Sequence, residues 1–373
     1  MSAAPAMLAL VTEAFGGRGG IAQYNRDFLE SLAESEAVSA ITVLPRHVPE
    51  RADLPAGIQQ ASARPGRIRY SLAGLGTALT RHVDVVFCGH IYMAPLAALI
   101  ARLKGAKLVM QAHGIEAWPR PSRLQRAAVE AADLVLCVSR YTRAAVLGWA
   151  DIAPERVLVV PNTVGEDFTP GESSSLRKEL GLEGKRVLLT VGRMDSRERY
   201  KGHDRVIAAL PALVVKDHDV AYVVIGEGND VVRLKGLAVE AGVEDRVIFL
   251  GAVFSDRLVE AYRMADLFVM PSTGEGFGIA FLEAMACGTP ALGLATAGAK
   301  DALADGELGV AVEEAELADA LEDLLQAPRR DPHELSAVTQ ARFGRQALAG
   351  NVCEAMRRLF QTRLRLPIAA STA

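Results

Sequence analysis

Apolar residues along this chain gather in runs of four to six positions, separated by longer stretches in which apolar and polar residues alternate at helical spacing. In the first half the runs are Met7–Val11, Ala40–Leu44, Asp84–Cys88, Lys107–Met110, Leu134–Val138 and Arg156–Val160. Runs this short and this continuous predict strands buried on both faces. The amphipathic stretches Ile21–Leu32 and Leu96–Leu103 between them predict helices. Strands alternating with helices imply a parallel sheet covered on both sides.

Pro161, Pro170, Gly171 and the run Glu172–Ser175 then interrupt the pattern as a linker. It restarts with Arg186–Val191, Val220–Ile225, Val247–Leu250, Leu267–Met270, Pro290–Leu294 and Gly309–Val312. The expected organisation is two successive α/β domains, residues 1–163 and 164–346. Ligand should bind beyond the carboxyl ends of the strands, in the cleft between two such domains. A last helix is predicted over about residues 347–366. Met356, Leu359, Phe360 and Leu364 share one face of it, with Arg357, Arg358, Arg363 and Arg365 around them. That face suits either a membrane surface or packing back across the domains.

Composition adds limits. The chain has 373 residues, 50% apolar and 23% charged, the balance of a globular protein. The four cysteines, Cys88, Cys137, Cys287 and Cys353, are far apart and read as small hydrophobes of a reducing cytoplasm. The start of the chain lacks the positive region of a signal peptide. Phe277–Ala299 is long and apolar, but Glu283, Gly288 and Pro290 break it into helix, turn and strand rather than a membrane span. The net charge of −4 is uneven: residues 1–163 carry 17 basic and 13 acidic side chains, and the rest 24 basic and 32 acidic. The more basic half could face anionic material such as a phospholipid surface. A pI near 6.0 without a basic stripe argues against nucleic acid.

The most informative segment is Pro271-Ser-Thr-Gly-Glu275-Gly-Phe-Gly278-Ile-Ala-Phe-Leu-Glu283-Ala-Met-Ala-Cys-Gly-Thr-Pro290. A strand runs into a glycine-rich loop, and a helix starts near Gly278 or Ile279. Free amides at that start, with the helix dipole, suit a phosphate. Glu275 precedes the phosphate position and Glu283 lies more than one turn inside the helix. Each carboxylate could accept hydrogen bonds from hydroxyls, one from a sugar and one from a ribose. A second block, Gly192-Arg193-Met194-Asp195 followed by Tyr200-Lys201-Gly202-His203, puts a guanidinium and an ammonium beyond one strand. Together they would neutralise a departing diphosphate. Lys201 is expected to begin the next helical stretch.

These blocks resemble glycosyltransferase family 4, whose members share a glutamate, seven intervening residues and a second glutamate. The resemblance spans nearly the whole chain, strongest from 187 to 292 and weakest from 45 to 80. It implies the GT-B fold, two Rossmann-like, doubly wound parallel-sheet domains facing across a cleft. It also implies retaining transfer of a hexose from a nucleoside-diphosphate sugar, without metal or other cofactor. It gives Glu275 and the amides of Gly276, Phe277, Gly278 and Ile279 to the donor sugar and phosphates, Glu283 to the ribose, and Arg193 and Lys201 to the diphosphate. Gly16 and Gly17, in the run after the first strand, match the family's N-terminal glycine loop. His113, after the strand Lys107–Met110, falls at the reaction centre, and Trp118 lies in an acceptor-side loop. Gly226 and Glu227 are family-like, and the loop holding Phe254 lines the base pocket.

The Tyr200-Lys201-Gly202 form resembles mannosyltransferases using GDP-mannose, with UDP-glucose the alternative donor. The implied acceptor is a saccharide or lipid-linked glycan of cell-envelope synthesis. The implied location is cytoplasmic, peripheral to the inner leaflet. Asp217-His218-Asp219 matches a DxD metal pattern but sits in a charged turn, and no metal site is expected. A sugar-nucleotide epimerase and a non-catalytic sugar-nucleotide binder are the competing readings.

Overall fold

A computed structural model describes residues 4–35, 37–216 and 219–361. The chain divides into two compact units. One holds the described residues up to Val138, Thr142–Pro161 and those from Gln346 on, and the other holds Ser139–Tyr141 and Asn162–Arg345.

In chain order the first unit contains β1 (Ala6–Val11), α1 (Gly20–Glu34), β2 (Ala40–Pro45), β3 (Ile58–Gln60), α2 (Arg67–Thr80), β4 (Val85–Cys88), α3 (Ala94–Lys104), β5 (Lys107–Ala112), α4 (Arg123–Glu130), β6 (Leu134–Cys137), α5 (Arg140–Trp149) from Thr142 on, and β7 (Val157–Val159). Its sheet is parallel throughout, in the order β3-β2-β1-β4-β5-β6-β7. Leu8 and Leu10 of β1 point into one core with Ile100 of α3 and Val129 of α4. On α1, the buried Phe28 stacks on Phe87 of β4 with ring centroids 4.7 Å apart. Both sheet faces are therefore covered, which is why the strands read as unbroken apolar runs.

The second unit contains α6 (Ser174–Glu179), β8 (Arg186–Val191), α7 (His203–Val215), β9 (Val220–Ile225), α8 (Val231–Glu240), β10 (Val247–Gly251), α9 (Ser255–Met264), β11 (Leu267–Met270), α10 (Ile279–Ala286), β12 (Ala291–Leu294), α11 (Ala299–Ala302), β13 (Val310–Val312), α12 (Leu317–Gln326) and α13 (Pro332–Phe343). Its sheet runs β10-β9-β8-β11-β12-β13, again all parallel. Phe268 of β11 meets Phe281 of α10 edge-on, 5.5 Å between centroids. In both units the strand order reverses beside the first strand, β1 or β8, which opens a crevice at the carboxyl ends. Each is a Rossmann-like parallel-sheet domain.

The last helix, α14 (Arg345–Gln361), groups with the first unit from Gln346 on. Its expected continuation through Arg363, Leu364 and Arg365 lies outside the described residues. Phe277–Ala299 is broken as expected into α10, a turn at Gly288 and β12. Among the described residues, no helix is long and apolar enough to cross a membrane. Cys88, Cys137 and Cys287 are buried and Cys353 is exposed.

The sequence pattern missed β3 and α2. A three-residue edge strand leaves little periodicity. On α2, Ile68, Leu72 and Leu79 are exposed while Tyr70, Gly74 and Ala78 are buried, so apolar residues ring the helix and blur its inward stripe.

Candidate active site

In the second unit every predicted site residue except Lys201, Ile279 and Glu283 lies in a loop leaving the carboxyl end of a strand, and Ile279 opens α10 directly after such a loop. Arg193 follows β8, Gly226 and Glu227 follow β9, Phe254 follows β10, and Glu275–Ile279 follows β11. Lys201 ends a short 3-10 turn, Arg199–Lys201, rather than opening a helix, and α7 starts at His203.

The turn is held against the β11 loop by backbone. The Thr273 amide donates to the Tyr200 carbonyl at 2.9 Å. Gly202 has φ +80°, and a Cβ there would stand 2.3 Å from the Pro271 carbonyl oxygen, so only glycine allows this approach. The approach delivers Lys201 to Glu275: Nζ donates to Oε1 at 2.8 Å. The ammonium also lies 5.7 Å from the Tyr200 ring centroid. Burial alone would depress the Lys201 pKa, but the Glu275 carboxylate outweighs it and holds the pKa above the ordinary value.

Gly278 caps α10 with φ +101° and no side-chain hydrogen bond. The first turn of α10 holds no acidic residue, so its amides and dipole are presented to an anion without a competing carboxylate. Glu275 is fixed on both sides: its carbonyl accepts from the Gly298 amide at 2.9 Å, and its carboxylate takes Lys201. The Phe277 ring is 2% exposed and meets Phe343 edge-on. Only the backbone of Phe277 is therefore available to a ligand.

Glu283 projects from the second turn of α10, where Tyr262 of α9 donates to its Oε2 at 2.6 Å. Burial raises the Glu283 pKa, and the tyrosine hydrogen bond works against it. Tyr262 is itself fully buried, and its own carbonyl accepts from the Thr289 hydroxyl at 2.7 Å. Sequence reading missed Tyr262, because nothing local distinguishes it from a core aromatic.

Arg193 and Lys201 both act electrostatically on Tyr200, which lies between the β8 loop and the β11 loop in sequence. The Arg193 guanidinium is 75% exposed and paired with Glu198. Gly226 packs against the β8 loop: a Cβ would lie 2.0 Å from the Gly192 carbonyl oxygen. The Met194 amide donates to the Glu227 carbonyl at 2.8 Å, while the Glu227 side chain is exposed. Phe254 is 55% exposed.

His203 is a further residue the sequence reading passed over. It is 4% exposed, and its Nε2 is buried without a partner. Burial, and then the neighbouring Lys201 charge, lower its pKa to about 4.

In the first unit, His113 follows β5 and its Nε2 lies 2.8 Å from the Gly89 carbonyl. A carbonyl can only accept, so this contact requires the Nε2–H tautomer and leaves Nδ1 without a proton in the neutral ring. The His113 amide donates to Glu116 Oε1 at 2.6 Å. Burial lowers the His113 pKa to about 4, so the ring is neutral at physiological pH. A Cβ on Gly16 would meet the Glu50 carbonyl oxygen at 2.0 Å, and the Gly17 amide closes a turn on the Ala14 carbonyl at 3.0 Å. Both glycines thus have a packing reason of their own. Trp118 donates its indole N–H to Thr142 at 3.2 Å.

Asp217 and His218 lie outside the described residues. Asp219 is paired with Lys185 and Arg246 at 2.8 and 3.2 Å. Among the described residues, no three His, Cys, Asp or Glu side chains are grouped to hold a metal ion.

Comparison with known proteins agrees with this architecture. Residues 172–342 match the family described as glycosyl transferases group 1, and residues 18–168 match glycosyltransferase family 4. A D-inositol 3-phosphate glycosyltransferase of Actinosynnema mirum is 32% identical over 77% of this chain and 72% of its own. A GDP-mannose-dependent phosphatidylinositol monomannoside mannosyltransferase of Mycolicibacterium smegmatis is 33% identical over 64% of this chain. The chain spans 66% of the length of that relative. Among solved structures, Anabaena HepE with UDP and glucose superposes with a TM-score of 0.76 at 20% identity, over 94% of this chain and 99% of its own, which shows the GT-B fold. The chain therefore belongs to the group 1 glycosyltransferases of family 4.

Proposed function

We propose that this chain is a retaining, metal-independent glycosyltransferase. It would move a hexose from a nucleoside-diphosphate sugar to a saccharide or lipid-linked acceptor of cell-envelope polysaccharide or glycolipid synthesis. The observation that carries the reading is the placement of Lys201 against Glu275, beside the uncapped start of α10. A cation, a carboxylate and free amides then surround one locus at the carboxyl edge of a Rossmann-like sheet. Leaving diphosphate, sugar hydroxyls and phosphate oxygens need those three groups.

In the reaction, the bond from the anomeric carbon to the diphosphate oxygen breaks. A bond from the acceptor oxygen forms on the same face. The acceptor proton passes to an oxygen of the leaving phosphate. Lys201 and the α10 amides stabilise the charge that grows on the diphosphate, and Arg193 joins them by leaving Glu198. Glu275 holds the sugar, Glu283 accepts from the ribose, and neutral His113 contacts the donor sugar through its backbone-anchored ring. Neither a metal nor another cofactor takes part.

GDP-mannose is favoured over UDP-glucose, supported by the Tyr200-Lys201-Gly202 segment and by the GDP-mannose-dependent relative. The HepE likeness keeps UDP-glucose as second choice. The site of action is the cytoplasm, peripheral to the inner leaflet. The alternatives are a sugar-nucleotide epimerase and a binder without catalysis.

The test is incubation of the purified chain with GDP-mannose or UDP-glucose and glycolipid or saccharide acceptors, with and without EDTA. The reading expects acceptor-dependent release of nucleoside diphosphate, an α-linked product by NMR, and no loss in EDTA. Nucleotide binding without release in any combination would favour the binder. Epimerised donor without transfer would favour the epimerase.

A further inference from the structure

Lys201 sits on a segment with little to hold it by itself. The segment is a three-residue 3-10 turn, Arg199–Lys201, at the end of the excursion between β8 and α7. A turn this short is not stable alone. The excursion is tied instead to the loop after β9. The Asp230 amide donates to the Met194 carbonyl at 2.9 Å, and the Ser196 amide donates to Asn229 Oδ1 at 2.7 Å. A Cβ on Gly228 would lie 2.0 Å from the Met194 carbonyl oxygen, so the two loops meet backbone to backbone.

Asp230 adds a charged anchor. It stands immediately before α8, where a carboxylate would ordinarily cap the first amides, yet its side chain makes no capping hydrogen bond. The carboxylate is 5% exposed and is given to two arginines instead. Arg199 donates to Oδ1 from Nε at 3.1 Å and from Nη2 at 2.9 Å. Arg233 Nε lies 2.9 Å from both oxygens, and its Nη2 donates to Oδ2 at 2.6 Å. Hydrogen bonds from Arg233, then Arg199, hold the Asp230 carboxyl below the usual carboxylate range. Arg233 also reaches Asp204 in the first turn of α7, Nη1 to Oδ2 at 3.2 Å. Arg199 stands two residues before Lys201 and Asp204 three after it. One buried carboxylate therefore grips the Lys201 segment from both sides, directly at Arg199 and through Arg233 at Asp204.

We infer that Asp230 is a positioning residue for Lys201: it fixes the turn from which the ammonium meets Glu275 and the leaving diphosphate. This rests on the role proposed above for Lys201 in transfer. A buried carboxylate is costly to desolvate, and the pairing that offsets this cost also fixes the backbone of residues 199–204. A cation whose place is set before the donor binds can stabilise charge in the transition state without reorganising.

The test applies two measurements to Asp230→Asn and to Arg199→Gln. The second variant alters a side chain that is 52% exposed, so misfolding of the first would not remove the test. In steady-state transfer kinetics, Asp230→Asn should lower kcat about 10- to 100-fold, up to the scale of a 1 Å misplacement, with donor KM changed far less. Arg199→Gln should lower kcat about threefold, as for one hydrogen bond. In a Lys201→Ala background neither change should lower kcat further, because the group they position is gone. Equal losses in both backgrounds would overturn the inference. Urea denaturation of the Lys201→Met/Glu275→Leu cycle, both single variants included, reads the coupling of those two residues without any donor. That coupling should shrink in the Asp230→Asn background, and to a smaller extent in the Arg199→Gln background. Unchanged coupling in both would mean that Lys201 is held without Asp230, and would equally overturn the inference. A parent inactive with every donor, whose coupling still responds to Asp230→Asn, would sink the transfer reading and leave the positioning of Lys201 standing.

Discussion

Lys201 Nζ donates to Glu275 Oε1 at 2.8 Å, and the two side chains are only 15% and 13% exposed. The pair joins the residue proposed for the diphosphate to the residue proposed for the sugar. It makes donor binding a competition, since sugar hydroxyls and phosphate oxygens must share or divide a contact the two residues already make.

A mostly buried ion pair is costly to break from one side only. Lys201→Met should lower the unfolding free energy by about 3 kcal/mol, because Glu275 is left without its cation. The double variant Lys201→Met/Glu275→Leu should recover most of the loss. Urea denaturation of the three proteins reads this directly. A single variant as stable as the parent would mean that water already supports the pair.

Tyr262 holds Glu283 by one hydrogen bond of 2.6 Å. Tyr262→Phe removes the donor and keeps the ring, so packing against Phe268 should survive. Nucleoside diphosphate affinity should fall about three- to tenfold, the worth of one hydrogen bond of about 1 kcal/mol, with kcat nearly unchanged. Calorimetric titration measures the first and transfer kinetics the second. Unaltered affinity would detach Tyr262 from the nucleotide site.

Acid should destabilise the protein from about pH 6.5 downward. Burial lowers the pKa of His90, His113 and His203 from 6.5 to about 4 in the folded chain. The unfolded chain takes up these protons near pH 6.5, while the folded chain refuses them until about pH 4. Lowering pH through that window therefore favours unfolding. At pH 5 each histidine should cost on the order of 1–2 kcal/mol relative to pH 7. His203→Gln should flatten part of this slope in urea titrations at the two pH values. A parent protein equally stable at both would contradict the buried neutral imidazoles.

Much of this was legible in the sequence, and the reason differs by element. Strands buried on both faces leave unbroken apolar runs, and β8, β9 and β11 fall within a residue of their expected bounds. Glycine is required at Gly202, where the backbone meets the Pro271 carbonyl, and at Gly278, where φ is +101°, so these positions announced the turns that build the site. What stayed hidden depends on distance along the chain. Tyr262 reaches Glu283 across 21 positions, and no local pattern marks it. The pairing of Arg193 with Glu198 is a rotamer choice of an exposed guanidinium, which no sequence pattern marks. The exposed leucines of α2 disguised a helix, since amphipathic pattern reading assumes that apolar residues turn inward.

The central claim is that Lys201 stabilises charge developing on the leaving diphosphate, which makes the site catalytic rather than only nucleotide-binding. Steady-state kinetics of Lys201→Ala with the true donor tests it most directly. A fixed cation favours the transition state over the ground state, so kcat should fall by ~10²–10³ while donor KM changes much less. Lys201→Arg should restore only part of the rate, because a planar guanidinium cannot occupy the same place as the ammonium beside Glu275. An unchanged kcat with a raised KM would contradict the account and reduce Lys201 to a binding contact.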